Sequence, residues 1–328
     1  MMTDMLISRA KLKEMLQGMI KEYRLVAPVR ENGSLLFKEV DNVDDIVIND
    51  EITYKSPKEF LFPQVERIMG FDSQGGTLTE GNPKKTVIFG VRPCDLEAIK
   101  ILTAVFTQGK YVDTYFLNHL SNTTFIGLGC VNEKPGCFCQ QRGIDKDYSM
   151  ACDVFIQPNG DGYKIAYIKD SAKQLFNGNI EFPQDTCAKV GTTTDKTQII
   201  ELDSDENTLF NEIDWSKHSE KCLACGICTY ICPTCHCFEF KDTKQREGAY
   251  RYRCWDSCMY PKFTLHASGH NPRPSKTERF RQRVMHKYLY VKQNFGYTAC
   301  TGCGRCIRSC PAGMNIKSIV SEIMEELK

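Results

Sequence analysis

Lys221-Cys222-Leu223-Ala224-Cys225-Gly226-Ile227-Cys228-Thr229-Tyr230-Ile231-Cys232-Pro233 decides how this chain reads. Its cysteines spell C-x2-C-x2-C-x3-C-P, and the same spelling returns as Cys300, Cys303, Cys306 and Cys310-Pro311. That is the bacterial ligand run for a [4Fe–4S] cube, in which three close thiolates hold three corners and the fourth cysteine ligates the other cube. By this crossing, Cys222, Cys225, Cys228 and Cys310 hold cluster one, and Cys300, Cys303, Cys306 and Cys232 hold cluster two. Structural zinc asks for two separated pairs closing a tetrahedron, a pattern neither run follows. A disulfide framework suits small secreted domains, and Met1 to Ala10 carries no charged segment leading into an apolar one. The thiols therefore read as reduced and the protein as cytoplasmic.

Working outward, 328 residues with 41% hydrophobic and 25% charged composition fit an ordinary globular protein of about two domains. No apolar run approaches the roughly 20 residues that span a bilayer, so no membrane insertion is expected. The formal charge of +1 hides an asymmetry: Lys241 to Lys292 holds 13 Lys and Arg against 4 Asp and Glu. A basic stretch can mark a nucleic-acid face, but no nucleic-acid module accompanies it. Anionic clusters and an acidic redox partner are the better match.

Upstream, Leu12, Met15, Leu16, Met19 and Ile20 recur at helical spacing, and Tyr23–Val29 and Ser34–Val40 read as strands joined across Asn32-Gly33. Ser56-Pro57-Lys58-Glu59 predicts a helix start with a capping box. Thr86–Val91, a helix over Asp95–Phe106, and Thr124–Gly129 give a β-α-β unit, hence a short parallel sheet. Ala151–Ile156 and Tyr163–Ile168 flank a hairpin turn at Asn159-Gly160-Asp161-Gly162. No G-x-G-x-x-G and no P-loop appears, so the chain is not expected to bind a nicotinamide cofactor.

Cysteines stand just beyond two of those strands: Cys94 in Arg92-Pro93-Cys94-Asp95, Cys130 after Gly129, and Cys137-Phe138-Cys139 soon after. Ligands gather outside the carboxyl ends of parallel strands, so Cys94, Cys130, Cys137 and Cys139 are candidates for a third [4Fe–4S] cluster. The alternative is that they are small buried hydrophobes, with Asp95 capping the helix. Both readings stay open at this point.

The polar stretch Gly191–Asn207 reads as the linker or a surface excursion. The expected division is an α/β (α+β) domain over 1–210, with its short parallel sheet, followed by an α-helical ferredoxin-like domain over 211–328. In the latter, Phe280, Val284, Tyr288 and Val291 form an apolar stripe with Arg279, Arg283 and Lys287 solvated beside it. Ile316, Ile319, Val320, Ile323, Met324 and Leu327 form another stripe, on a helix expected to begin at Pro311. Cys235, Cys237 and Cys258 read as buried structural thiols near the first run, with metal binding alongside His236 as the alternative; Cys152 and Cys187 read as structural.

Ser56-Pro57-Lys58-Glu59-Phe60-Leu61-Phe62-Pro63, Phe89-Gly90-Val91-Arg92-Pro93-Cys94-Asp95, Cys137-Phe138-Cys139, Cys232-Pro233-Thr234-Cys235, Trp255-Asp256-Ser257-Cys258, Gly269-His270-Asn271-Pro272-Arg273 and the final ligand run together carry a resemblance. Over its whole length the chain resembles the iron–sulfur subunit family that includes the β subunit of soluble sulfhydrogenases and the iron–sulfur subunit of anaerobic sulfite reductases. The resemblance implies an electron-transfer subunit without bond-making chemistry of its own. It implies two partners: a flavoprotein reductase-like subunit that carries FAD and oxidises NAD(P)H, and a catalytic redox subunit. The latter is a hydrogenase, a sulfite reductase or a heterodisulfide-reductase-like assembly. Cys152, Cys187 and Cys254 have no counterpart in the family pattern. Two other classes compete with it: a self-sufficient flavin and iron–sulfur reductase, and a zinc-dependent nucleic-acid-binding protein.

Overall fold

The structure, a computed structural model, describes residues 5–72, 74, 76–78, 84–176, 199–246 and 248–328. Cys187 and the first part of the expected linker lie outside the described residues. Strands β1 (Met5–Ser8), β2 (Arg24–Glu31) and β3 (Ser34–Glu39) surround helix α1 (Arg9–Glu22) in sequence. Then come β4 (Val65–Asp72), β5 (Thr77–Leu78), β6 (Thr86–Val91), helices α2 (Pro93–Thr107) and α3 (Thr114–Ser121), β7 (Thr123–Leu128), β8 (Val154–Asn159) and β9 (Gly162–Tyr167).

Seven of these strands make one mixed sheet in the order β1-β9-β8-β7-β6-β2-β3. Its centre is parallel, β2 with β6, β6 with β7 and β7 with β8, and antiparallel strands close both edges. Every residue of β6 is buried, as a strand covered on both faces requires. On one face Leu12, Leu16 and Met19 of α1 meet Val87, Phe89, Ile126 and Ile156. On the other, Leu96, Ile99 and Leu102 of α2 and Phe116 of α3 meet Ile88, Phe125 and Phe155, together with Leu61 and Phe62. The mixed α/β content and the parallel centre are those expected from the sequence.

The helix anticipated at Ser56 is a single 3-10 turn, Pro57–Phe60. Ser56 Oγ accepts from Lys58 N rather than from Glu59, so no capping box closes there. A proline at position 63 follows too soon for more.

The remaining chain contains α4 (Glu206–Asn211), α5 (Trp215–Ser219), α6 (Ile227–Tyr230), β10 (Phe238–Gln245), β11 (Gly248–Trp255), α7 (Lys276–Met285), a π-helical turn over His286–Tyr290, α8 (Val291–Phe295), α9 (Arg305–Arg308) and α10 (Ile316–Glu326). α10 begins five residues beyond Pro311, on the Asn315 side chain, which accepts from Lys317 N and Ser318 N. The true capping box of this region joins Ser275 and Glu278 at the start of α7.

Hairpin β10–β11 does not stay with these helices. It extends β4 and β5 into a four-stranded antiparallel sheet, β10-β11-β4-β5, that spans residue 210. A buried ion pair ties the join: Arg253 Nη2 of β11 lies 2.5 Å from Glu66 Oε2 of β4, and Glu66 Oε1 lies 2.9 Å from His119 Nε2. None of the helices among the described residues is long and apolar enough to cross a membrane.

Candidate metal centres

The two cysteine runs fold alike. Gly226 and Gly304 both take left-handed backbone angles, φ +79° and +73°, and each opens a one-turn helix that carries the third cysteine of its run, Cys228 in α6 and Cys306 in α9. Only glycine adopts that conformation at little cost. The repeat in sequence is therefore a repeat in backbone. Cys222, Cys225, Cys228 and Cys310 line one cleft; Cys232, Cys300, Cys303 and Cys306 line a second. Cys306 and Arg283 line both clefts, so the two share a wall.

Cys94, Cys130, Cys137 and Cys139 also come together, around a third cleft at the carboxyl ends of β6 and β7. Long-range contacts assemble it. Buried Arg92 donates to Gly129 O (2.7 Å) and Glu51 O (3.1 Å), holding the two strand ends against the 49–51 segment. Asp50 accepts from Val131 N (2.8 Å), Asn132 N (3.0 Å) and Lys134 Nζ (2.5 Å), which pins the loop between Cys130 and Cys137.

The third cleft leans on the second. Phe138 N donates to Gly302 O (2.8 Å), Cys137 Sγ lies 3.3 Å from Cys303 O, and Cys94, Cys139 and Cys303 pack as one buried group. A Cβ at Gly302 would stand 2.6 Å from the Phe138 carbonyl carbon. Arg305, 1% exposed, forms a bidentate pair with Asp95 and donates to Thr53 O (2.8 Å) and Thr53 Oγ1 (2.9 Å). Asp95 is thus the anchor of Arg305. It does not cap α2, whose N-cap Arg92 makes no side-chain cap.

Two electrostatic regimes follow. In the third cleft burial pushes the Cys139 thiol up to about 12, and it raises Cys94 and Cys130 as well. Neutral thiols must release their protons to solvent when they bind a metal. Cys232 is the reverse case: the Cys235 thiol donates to it and, with the Lys287 charge, holds it well below the usual thiol range. Burial pulls Lys287 down, but the Cys232 and Cys235 sulfurs outweigh that and keep its ammonium above its ordinary value. Lys58 goes the other way, down to about 8, because burial dominates.

Arg279, Arg283 and Lys287 are buried, contrary to the solvated face expected of them. Arg283 turns its head toward Cys228 O and Cys235 Sγ and Lys287 toward Cys232 Sγ, whereas Arg279 donates to Met259 O, Arg273 O and Pro274 O, partners that helical periodicity does not reveal. Cys235, Cys237 and Cys258 are half-buried; Cys235 contacts Cys232, and Cys237 contacts Cys258. Cys152 is buried beside Ser149 O, in keeping with a structural thiol. Among the described residues no three His, Cys, Asp or Glu close on the point of a single ion. The first cleft is lined by five cysteines, Cys306 among them, and the second and third by four each; four thiolates are the donor set of a [4Fe–4S] cluster.

Residues 221–314 match the 4Fe-4S dicluster domain, which defines the class: a protein with a ferredoxin-like iron–sulfur domain. Over 321 residues the chain is 31% identical to sulfhydrogenase 2 subunit beta of Pyrococcus furiosus, covering 93% of both chains. The chain belongs to the iron–sulfur subunit family of sulfhydrogenase β subunits. No solved structure matches it.

Proposed function

We propose that this chain is the electron relay of a multisubunit cytoplasmic oxidoreductase, holding three [4Fe–4S] clusters. Cys222, Cys225, Cys228 and Cys310 hold the first; Cys232, Cys300, Cys303 and Cys306 the second; Cys94, Cys130, Cys137 and Cys139 the third. Such clusters, when bound, accept and release single electrons at potentials set by their surroundings. The chain's own residues supply the thiolates, exclude water and place charges. Residues 1–210 are read as an α/β domain and 211–328 as the helix-supported ferredoxin-like domain. Its partners are a flavoprotein reductase-like subunit with FAD and a catalytic redox subunit, in keeping with the relative's name as a sulfhydrogenase subunit.

The observation that carries this reading is the gathering of twelve cysteines, in three sets of four, around clefts that adjoin in series. The test is iron and acid-labile sulfide per chain after anaerobic purification. About twelve irons in the wild type, falling to about eight in Cys137→Ser, are expected. About eight in both would return Cys94, Cys130, Cys137 and Cys139 to a structural role.

A further inference from the structure

Three cations are buried around the first run without a carboxylate. Lys58, Arg283 and Lys287 are 3%, 5% and 4% exposed, and among the described residues no carboxylate oxygen lies within 4.0 Å of any of them. Lys58 Nζ donates to Cys235 O (2.7 Å) and sits 3.9 Å from the centre of the Trp255 ring. Arg283 donates to Cys228 O (3.3 Å) and points at Cys235 Sγ (3.9 Å). Lys287 Nζ reaches Cys232 Sγ (3.1 Å), Thr234 Oγ1 (3.0 Å) and Ala299 O (2.9 Å). A buried charge without a counter-ion is strongly unfavourable, so the site is built for an anion.

Lys287 is the most specific of the three. Its head is pinned between the two runs by Cys232 Sγ and Ala299 O, Ala299 directly preceding Cys300, and its backbone carbonyl accepts from Ala299 N at 2.7 Å. It lies in the π-helical turn His286–Tyr290, an irregularity that recurs at functional positions in helices. It lines the second cleft and not the first or third, whereas Arg283 is shared by the first and second. Arg305, the other buried cation near Cys303, is neutralised by Asp95. Lys287 is therefore the positive charge that the second cleft has to itself.

We propose that Lys287 is a positioning residue that sets the reduction potential of the cluster held by Cys232, Cys300, Cys303 and Cys306. Its N–H···S bond and its charge, which no carboxylate neutralises, favour the more negative reduced state, so the potential stands above the value that four thiolates alone would give. Salt does not screen a charge at this depth as it would on the surface. Because the second cleft adjoins both others, the device keeps the middle centre from being an uphill stop between its neighbours. The change on reduction is one electron added to the cluster.

The inference rests on those four cysteines holding a cluster, which Cys303→Ser tests by itself. If Cys303→Ser leaves the iron content and every cluster signal intact, the assignment fails. The inference proper is tested by redox titration of the loaded protein, followed by electron paramagnetic resonance, in wild type, Lys287→Met and Lys287→Arg. The signal lost in Cys303→Ser is expected to titrate at a more negative potential in Lys287→Met and to return toward the wild-type value in Lys287→Arg. The other signals should stay put. An unshifted signal, or an equal shift of all signals, overturns the proposal. If Lys287→Met does not load iron, Lys287→Gln, which keeps an N–H donor for Thr234 and Ala299, carries the same test.

Discussion

The two repeated runs and the cleft beyond β6 and β7 hold the same number of thiols by opposite means. In the runs, three ligands fall within seven residues and a left-handed glycine before a one-turn helix folds each loop around its own centre. At the other site, Cys94 and Cys139 are 45 positions apart in sequence, and Arg92, Asp50 and the Arg305–Asp95 pair bring the loops together. A local site depends on its own backbone. An assembled one depends on the tertiary structure staying closed, and that difference can be probed.

The largest expected effect is on the local side. Cys225 is exposed, so Cys225→Ser should leave the fold intact and remove or convert one cluster, seen as a loss of up to about four irons with the third site untouched. Retention of every cubic signal would break the assignment of the first run.

Asp95→Asn comes next. It leaves Arg305 buried without its partner, a change that typically costs about 3–5 kcal/mol. Thermal unfolding should show that loss, and iron should leave the third site before the first. Equal iron loss from the first site would erase the contrast between the two regions.

Gly302→Ala is the smallest of the set. It places a Cβ against the Phe138 backbone at a φ of +64°, with strain of order 1–3 kcal/mol. The seam between second and third clefts should loosen, detected as weakened magnetic coupling between their clusters. An unchanged melting temperature would mean that the seam has room to relax.

Much of this was legible in the residues. The spacing of Cys222–Cys232 and Cys300–Cys310 names its own chemistry, and the continuous apolar run Thr86–Val91 announces a strand covered on both faces. Cys94, Cys130, Cys137 and Cys139 could be proposed because ligands collect where parallel strands end. They could not be separated from buried hydrophobes, since a thiol serves as either. The capping-box pattern at Ser56 misled because two prolines bracket too short a segment for an α-helix. Arg279, Arg283 and Lys287 misled for another reason. Helical periodicity locates the polar face but is silent on what stands opposite it.

The sequence by itself determined the kind of ligand, the repeat and the family, because thiolate spacing within a loop is set by a few adjacent torsions. Only the tertiary structure decided that β10–β11 completes a sheet begun before residue 72, that Asp95 belongs to Arg305, and that Lys287 faces Cys232. Those outcomes join residues far apart in the chain. Burial and charge compensation settle such pairings, and both are properties of the packed chain rather than of any segment.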